Sequence, residues 1–233
     1  MRSIAIIPAR SGSKGLKDKN IMRLYGVPLI GYAIKSAIES NLFDEIMVST
    51  DSESYAELAR FLGAKVPFLR SKEKSSDIVS SWDVVIEVLE QYKKRGKEFE
   101  TVCLLQPTSP LRKAEDIING YKLLESKKAD SVTSVCEVDH PPLWSMQLQE
   151  NLSLNEFNKA CEDVPRQQYG KYYRLNGAVY IRKIKYLEDK IQIENNDDYA
   201  LIMNRRDSVD IDTIDDFELA EFYLKKQKNQ DNL

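Results

Sequence analysis

The chain has 233 residues, a formal net charge of −3 at pH 7, 42% hydrophobic and 30% charged residues. This length suits one large α/β domain, and the composition is that of a soluble globular protein rather than a disordered one. The mild acidity argues against nucleic acid as the main partner, because nucleic-acid-binding proteins usually present a basic face.

The cysteines argue against a disulfide framework or a zinc site, since there are three of them without CxxC spacing and only one histidine, His140. Cys103 and Cys136 lie in apolar runs and are predicted to be small core residues. The apolar run from Ile4 to Ile7 is too short for a signal peptide, and no stretch reaches membrane-spanning length. We therefore expect a cytoplasmic protein without a membrane partner.

Strand and helix patterns alternate over the first 136 residues. The segments "SIAIIPA", "EIMVST", "TVCLLQ" and "SVTSVCEV" predict strands. Helices are predicted at "PLIGYAIKSAIES", at "SESYAELARFLG", at "SSWDVVIEVLEQYKKRG" and from about Ala114 to Lys127. This alternation predicts a Rossmann-like α/β fold, with a mostly parallel sheet and helices on both of its faces.

The rhythm fails between about Val138 and Arg174, where the sequence is polar and rich in aromatic residues and proline. We interpret this stretch as an insertion that covers the sheet edge or meets a second subunit. The sheet resumes at "NGAVYIR" and "DYALIMN", and "SVDIDTIDDFELAEFYLKK" predicts a short strand and a last helix. The final "KKQKNQDNL" is predicted to be a frayed tail. No linker divides residues 1–233, so a single domain is expected.

The loop after the first strand, "IIPARSGSKGLKDKN", concentrates positive charge in an acidic protein. It is neither a GxGxxG nor a GxxxxGK[ST] motif. Glycines beside arginine and lysine at the carboxyl end of a strand suit a phosphate cradle, because backbone N–H groups can approach and the cations neutralise charge. A solvated surface loop has a similar composition, and the residues alone leave both alternatives open.

The opening loop closely resembles the signature of the acylneuraminate cytidylyltransferases, the CMP-sialic acid synthetases. Further segments match that family in order: "VSTDSE", "LRSKEKSSDIVSSWDVV", "LLQPTSPLR", "PRQQ", "NGAVYI" and "DSVDIDT". Together they cover nearly the whole chain. The resemblance implies a nucleotide-diphospho-sugar transferase fold, with a dimerisation insertion at about 138–174. It also implies CTP and Mg²⁺ as the nucleotide and the metal.

By this resemblance, the phosphates of CTP are held by Arg10, Ser13, Lys14 and Lys19. The cytidine is contacted by Asn20, Arg70, Ser80 and Ser81. The basic loop would then serve to neutralise a triphosphate, which is a large part of phosphoryl-transfer chemistry. Lys17 has no such role and is predicted to be a solvated surface residue.

The resemblance also places the sugar at Gln106, Arg166, Asn176 and Tyr180, with Arg166 and Lys19 as the catalytic residues. A guanidinium at Arg166 could bind the carboxylate of the sugar or the reacting phosphate, and the alternative is an interface arginine. Tyr180 could equally be a core residue. Thr108, Ser109 and Arg112 could merely shape the turn after their strand. His140 and Trp144 are predicted to stack or to support the site rather than to act as bases.

In "DSVDIDT" an extended backbone would place Asp210 and Asp212 on one side and Val209 and Ile211 on the other. Magnesium prefers oxygen ligands, and one or two carboxylates with phosphate oxygens are typical. We therefore predict that this aspartate pair binds the metal. The alternative is a helix cap, since Thr213 and Asp216 have capping-box spacing.

The sequence-based hypothesis is a homodimeric enzyme that transfers CMP from CTP to the anomeric hydroxyl of a nine-carbon α-keto acid sugar and releases pyrophosphate. Two alternatives stay open. One is CMP transfer to an eight-carbon keto-deoxy sugar acid, and the other is a non-catalytic nucleotide-binding protein of the same fold.

Overall fold

A computed structural model describes residues 1–12, 15–76, 78–148, 150–155, 170–188 and 197–231. Its strands are β1 Ser3–Pro8, β2 Arg23–Leu24, β3 Val27–Pro28, β4 Glu45–Ser49, β5 Thr101–Leu104, β6 Ser131–Glu137, β7 Tyr173–Lys183 and β8 Asp198–Ile202. Its α-helices are α1 Leu29–Ser40, α2 Glu53–Phe61, α3 Ser81–Lys93, α4 Ala114–Ser126, α5 Lys185–Glu188 and α6 Ile214–Asp231.

Six strands form one sheet in the order β4-β1-β5-β7-β6-β8, and β2 and β3 form a separate two-stranded ribbon. β1 runs parallel to β4 and β5, and β6 runs parallel to β8. β7 lies between β5 and β6 and is antiparallel to both. The predicted mostly parallel α/β sheet is therefore confirmed, with one reversed strand near its middle.

Alternate residues of β1 pack in the two layers that flank the sheet. Ala5 and Ile7 belong to the core that includes residues of α1, α2 and α4. Ile4 and Ile6 belong to the core that includes residues of α3. A central strand that is buried on both faces must be apolar at every position, and all four side chains are 0% exposed.

The helix ends follow the local sequence. Pro28 precedes α1, where a missing N–H costs nothing, and Ser52 caps α2 by accepting a hydrogen bond from the Tyr55 N–H. Gly63 follows α2 with φ +96°, a left-handed conformation in which glycine commonly ends a helix. Ile38 of α1 is 42% exposed, because it lies at the rim of the apolar stripe that includes the buried Ala33, Ile34 and Ala37.

The last segment differs from its prediction in two respects. The predicted short strand around residue 210 is absent from the described sheet, because Ile211 N–H donates to a loop carbonyl, that of Thr108, rather than to a strand. The predicted frayed tail is helical, since α6 continues to Asp231. Gln227 donates to Asp207 at 3.1 Å and so ties this last part of the helix to the body of the protein.

A buried carboxylate lies at the start of β4. Glu45, whose side chain is 3% exposed, accepts hydrogen bonds from Lys97, from Tyr92 at 3.0 Å and from Lys65 at 3.2 Å. Burial alone would raise the pKa of Glu45, but the hydrogen bonds from Lys97, Tyr92 and Lys65 outweigh burial and lower it. The carboxylate is therefore charged and fully paired at neutral pH.

The predicted insertion lies partly outside the described residues, which omit 156–169 and with them Cys161 and Arg166. Its described part contains a short 3₁₀ turn at Pro142–Trp144, and β7 already begins at Tyr173. Cys103 and Cys136 are buried, as predicted. In the described part of the chain, none of the helices is both long enough and apolar enough to cross a bilayer.

Candidate nucleotide-binding site

A cavity of about 500 Å³ lies at the carboxyl end of β1, where open parallel sheets bind their ligands. The loops that follow β1 and β5, the start of α3 and the segment before α6 surround it. Its lining includes the following predicted site residues: Arg10, Lys19, Asn20, Arg70, Ser81, Gln106, Asp210 and Asp212. The fold thus brings together residues that lie more than 200 positions apart in the sequence.

The opening loop is held in place by neighbouring side chains. Asp51, which follows β4, accepts hydrogen bonds from the Ser11 N–H at 2.8 Å and the Ser11 hydroxyl at 3.0 Å. The Asn20 amide, only 6% exposed, donates to the Arg10 carbonyl at 3.0 Å. The loop therefore leaves the sheet in a fixed direction, and this preorganisation lowers the cost of binding a ligand.

Arg70 forms part of the buried wall of the cavity. Its guanidinium donates to the Ser49 hydroxyl at 3.1 Å and to the Ser49 carbonyl at 2.6 Å, and the residue is 8% exposed. Burial lowers the pKa of Arg70 to about 10, although Asp51 and Glu87 oppose that shift. The side chain is therefore still cationic at neutral pH.

The cavity is electrically positive because four cationic side chains and two carboxylates line it. The cations are Arg10, Lys19, Arg70 and Lys74, and the carboxylates are Asp210 and Asp212. A nucleoside triphosphate carries about four negative charges, and a divalent metal ion would neutralise about two of them. The lining therefore matches the charge of a metal–triphosphate complex.

Lys19 connects the opening loop to the aspartate segment. Its ammonium donates to the Ile211 carbonyl at 2.7 Å and to the Asp212 carboxylate at 2.9 Å, while its own side chain is only 14% exposed. The backbone of the loop also comes close there, since a Cβ built on Gly15 would lie 3.2 Å from the Asp212 carbonyl oxygen. The two ends of the chain therefore form one continuous wall of the cavity.

The alternation predicted for the aspartate segment is confirmed. Val209 and Ile211 are buried in a core with residues of α6, whereas Asp210 and Asp212 line the cavity. The capping box also exists, because Asp216 accepts hydrogen bonds from the N–H and hydroxyl of Thr213. Thr213 and Asp216 thus cap α6, and the two aspartates are left to face the cavity.

Asp210 has an oxygen without a protein partner. Its Oδ1 is buried and forms no hydrogen bond within the described residues. Burial raises the pKa of Asp210, and the charge of Asp212 adds to that rise, while the Thr108 hydroxyl and Lys19 oppose it. A nearby cation would stabilise the charged form of this carboxylate.

The donor set fits magnesium. The described residues contain no cluster of three acidic, histidine or cysteine side chains that could hold a metal by themselves. Mg²⁺ does not need one, since it usually takes one or two carboxylates and completes its shell with water and substrate phosphates. Asp210 and Asp212 offer such a pair.

Gln106 lies at the end of β5 and approaches β7 at Gly177. A Cβ built on Gly177 would lie 2.6 Å from Gln106 Oε1, 3.2 Å from Ser109 Oγ and 3.4 Å from Asp210 Oδ2. Gly177 also has φ +76°, a conformation that side chains disfavour. Only glycine at this position lets the amide and the carboxylate come close to the same point of the backbone.

Two predicted sugar-contacting residues, Asn176 and Tyr180, do not line the cavity. Asn176 is 0% exposed, and its amide bonds Ser134 at 2.6 Å and Ser208 at 2.9 Å, so its polar atoms are already satisfied inside the protein. Tyr180 is half-buried and its ring meets that of Trp82 edge to face. Burial raises the pKa of Tyr180, and the Asp210 charge adds to the rise.

Ser80 and Ser81 lie at the start of α3 but have different surroundings. The Ser80 hydroxyl accepts from the Asp83 N–H at 3.1 Å, and the Asp83 carboxylate accepts from the Ser80 N–H at 3.3 Å, a complete capping box. Ser81 lines the cavity. Lys17 is exposed, as predicted. Ser13, Lys14 and Arg166 lie outside the described residues.

The turn after β5 depends on Arg112. This residue is 4% exposed and donates to the Gln106 carbonyl at 3.2 Å and to the Ala178 carbonyl at 2.8 Å. Burial lowers the pKa of Arg112 to about 10. Its position supports the structural alternative, in which it holds the turn beside β7. His140 and Trp144 stack with ring centroids 5.7 Å apart, and neither lines the cavity.

Three residues of the site were missed by sequence reasoning. Gly177 lies in the quoted segment "NGAVYI", and the sequence alone does not connect its lack of a side chain with the approach of Gln106. Lys74 lies in "LRSKEKSS" and lines the cavity. Asp51 lies in "VSTDSE" and anchors the opening loop. All three residues lie in segments that carry the family resemblance, but the sequence alone does not show what their contacts are.

A second large cavity, of about 560 Å³, lies near Met1, Phe99 and Lys183, at the amino ends of the parallel strands. The opening loop and the aspartate pair do not line it. The candidate nucleotide site is therefore the cavity at the carboxyl ends.

A mostly parallel α/β sheet with a basic, carboxylate-bearing cavity at its carboxyl edge defines the class of α/β nucleotide-binding proteins. The chain belongs to the cytidylyltransferase family, whose pattern it matches over residues 4–229. The family predicted from the sequence is thereby confirmed.

Relatives of this chain include the CMP-N,N'-diacetyllegionaminic acid synthase of Legionella pneumophila, which is 37% identical over 95% of each chain. The pseudaminic acid cytidylyltransferase of Campylobacter jejuni is 32% identical over 97% of each chain. The N-acylneuraminate cytidylyltransferase of Escherichia coli is 37% identical over 99% of this chain, which spans 54% of that relative's length.

A solved structure of similar fold is a CMP:2-keto-3-deoxy-manno-octonic acid synthetase complexed with CTP. It aligns with a TM-score of 0.74 and 15% identity over 97% of this chain and 100% of that one. The 4-diphosphocytidyl-2C-methyl-D-erythritol synthase of Anaerococcus prevotii aligns with a TM-score of 0.61 and 14% identity, over 96% and 98% of the two chains. These likenesses establish the fold.

Proposed function

We propose that this chain transfers CMP from CTP to the anomeric hydroxyl of a nine-carbon α-keto acid sugar, with release of pyrophosphate. The observation that carries the proposal is the cavity in which Lys19 joins the basic opening loop to Asp212. Two relatives that match over nearly their whole length are named for legionaminic and pseudaminic acids, which supports a nonulosonic acid as acceptor.

The cationic side chains of the cavity would bind the triphosphate. Arg10 and Lys19 extend from the opening loop and line the cavity. The buried Arg70 forms part of its wall. The Lys19 ammonium has three donors, so it can bind a phosphate oxygen while it keeps the Ile211 carbonyl and the Asp212 carboxylate. Asn20 holds the Arg10 backbone and thereby the shape of the pocket that would receive the cytidine.

Asp210 and Asp212 would hold Mg²⁺, as the donor set described above allows. When bound, the ion would neutralise charge on the phosphate oxygens. The chain's own contribution there is to present two carboxylates from one extended segment. Lys19 fixes that segment through the Ile211 carbonyl.

The reaction would be a direct displacement without a covalent enzyme intermediate. The anomeric oxygen of the sugar attacks the α-phosphorus, the bond to the β-phosphate breaks, and the hydroxyl proton passes to solvent. Gln106 would orient a hydroxyl of the sugar, because its amide both donates and accepts and forms no other hydrogen bond within the described residues. Arg166 would serve as the second catalytic cation beside Lys19. The enzyme then contributes positioning and electrostatic stabilisation.

We also propose that residues from about 138 to 174 meet a second copy of the chain. Five apolar side chains of the described part are between 37% and 69% exposed: Leu143, Met146, Leu148, Leu152 and Leu154. A surface of this kind is expected where two subunits meet. Light scattering at micromolar concentration should give a dimer, and a fully active monomer would contradict this part of the proposal.

A pyrophosphate-release screen tests the proposed function. The purified protein is given CTP and Mg²⁺ with legionaminic, pseudaminic and N-acetylneuraminic acids and with an eight-carbon keto-deoxy acid. We expect the highest kcat/KM with one of the nine-carbon acids. A preference for the eight-carbon acid would support the first alternative, and CTP binding without any turnover would support the non-catalytic one.

A further inference from the structure

A carboxylate that does not line the nucleotide cavity lies close to Arg70. It belongs to Glu87, which is on α3 three residues after Val84, a residue of the cavity lining. Glu87 Oε1 accepts a hydrogen bond from the Ser71 N–H at 3.2 Å. Its Oε2 is buried and has no hydrogen-bond partner within the described residues. A buried carboxylate oxygen without a donor is costly, so its presence requires an explanation.

The protein fixes Arg70 through its backbone and through its side chain. The Arg70 N–H donates to the Thr50 carbonyl at 2.7 Å. The N–H of the next residue, Ser71, donates to Glu87. The Arg70 guanidinium uses Nε and Nη2 to bind the hydroxyl and the carbonyl of Ser49. Its Nη1 forms no hydrogen bond within the described part of the chain, and because Arg70 lines the cavity, this nitrogen remains for a ligand.

Arg70 carries a buried positive charge. The residue is 8% exposed, and among the described residues its guanidinium donates to no carboxylate. The charges of Asp51 and Glu87 favour its cationic form, and the charge of Arg10 opposes it. Both oxygens of Asp51 already accept from Ser11. Of these two carboxylates, Glu87 therefore has the oxygen that is still free.

We propose that Glu87 is a positioning residue that holds Arg70 in the orientation in which it binds the nucleotide. This inference rests on the function proposed above and adds to it a residue outside the cavity that controls the affinity for CTP. The hydrogen bond from Ser71 to Glu87 fixes the backbone next to Arg70. The charge of Glu87 offsets that of the buried guanidinium, which would otherwise be drawn from the wall of the cavity toward solvent.

The sign of the effect distinguishes this role of Glu87 from simple repulsion. CTP is an anion, so a carboxylate near the cavity that acts only through its charge weakens CTP binding, and its removal should lower the Kd. A carboxylate that positions Arg70 strengthens CTP binding, and its removal should raise the Kd. The two roles therefore predict opposite changes in the same measurement.

The experiment measures the Kd of CTP directly, by titration calorimetry with Mg²⁺ and without a sugar. The variant is Glu87→Gln, because glutamine keeps a carbonyl oxygen for the Ser71 N–H but has no charge. Glu90→Gln on the exposed side of the same helix is the matched control for the lost charge. Both changes are also made in an Arg70→Gln background, and urea titration gives the stability of each protein.

We expect Glu87→Gln to raise the Kd of CTP about fivefold to tenfold, and Glu90→Gln to leave it within about twofold of the wild-type value. In the Arg70→Gln background, Glu87→Gln should have no further effect, because the group through which it acts is absent. An unchanged or lower Kd in Glu87→Gln, whatever its stability, would overturn the inference, as would an equal loss in both backgrounds. A wild-type protein that does not bind CTP would instead overturn the proposed function, and this inference with it.

Discussion

Replacement of Gly177 by alanine should separate the stability of the protein from its activity. The new Cβ would lie 2.6 Å from Gln106 Oε1, whereas ordinary contacts begin at 3.4 Å. The amide oxygen must therefore move by about 0.8 Å, which is the difference between those two distances. Since the Gln106 amide makes no hydrogen bond within the described residues, it can move at little cost in stability.

The strain at Gly177 sets the loss of stability. Its φ of +76° costs a residue with a side chain about 1–2 kcal/mol. Gly96 is a matched control, because its φ is +73° and a Cβ there would meet nothing within 4 Å. We expect Gly177→Ala and Gly96→Ala to lose similar free energies of unfolding, about 1–2 kcal/mol each, with Gly177→Ala slightly the larger.

The activities should differ far more than the stabilities. A displacement approaching 1 Å in a positioning group can reduce a rate by about a hundredfold, so we expect kcat/KM for the sugar to fall by about ten- to a hundredfold in Gly177→Ala alone. Urea titration gives the stabilities, and pyrophosphate release gives the kinetics. Equal kcat/KM in the two variants would refute the role of Gln106 in binding the acceptor.

Three further predictions test single contacts. Lys19→Met should reduce kcat/KM by about a hundredfold or more through lost phosphate neutralisation, whereas Lys17→Met in the same loop should be unchanged, and equal losses would contradict the assignment. Glu45→Gln should cost about 1–2 kcal/mol of unfolding free energy at pH 7. Because the folded pKa of Glu45 is lowered, this cost should be complete above the unfolded value of about 4.3 and vanish as the pH falls below it, while exposed Glu57→Gln shows no such trend. Ser80→Ala should lose about 1 kcal/mol as a lost helix cap with little change in the KM for CTP, and a tenfold higher KM at wild-type stability would support cytidine contact instead.

The elements that carry strong periodicity could be predicted from the sequence. The apolar run of β1 and the alternation of Val209 and Ile211 with the two aspartates follow directly from burial on defined faces. The cation-rich loop could be placed at the carboxyl edge because it follows a buried strand. These inferences need only local patterns and the common topology of α/β sheets.

The sugar side of the site depends on a feature that no local pattern encodes. The pairing of β6 with β7 shifts register between Thr133 and Val135. Ser134 fills this irregularity, donating to the Asn176 amide oxygen at 2.6 Å and accepting from the Val179 N–H at 2.7 Å. The register changes by three residues, from Thr133 opposite Tyr180 to Val135 opposite Leu175. An odd shift reverses which side chains face the cavity, so Asn176 turns inward and Gly177 meets Gln106.

The fate of the α-phosphate of CTP tests the central claim most directly. CTP labelled at the α-phosphorus is incubated with Mg²⁺ and a nonulosonic acid, and the products are separated by anion-exchange chromatography. The account predicts that the label passes to a sugar conjugate in an amount equal to the pyrophosphate released, and only when both substrates are present. Label that remains in CTP, or appears as free CMP or CDP without a conjugate, would contradict it.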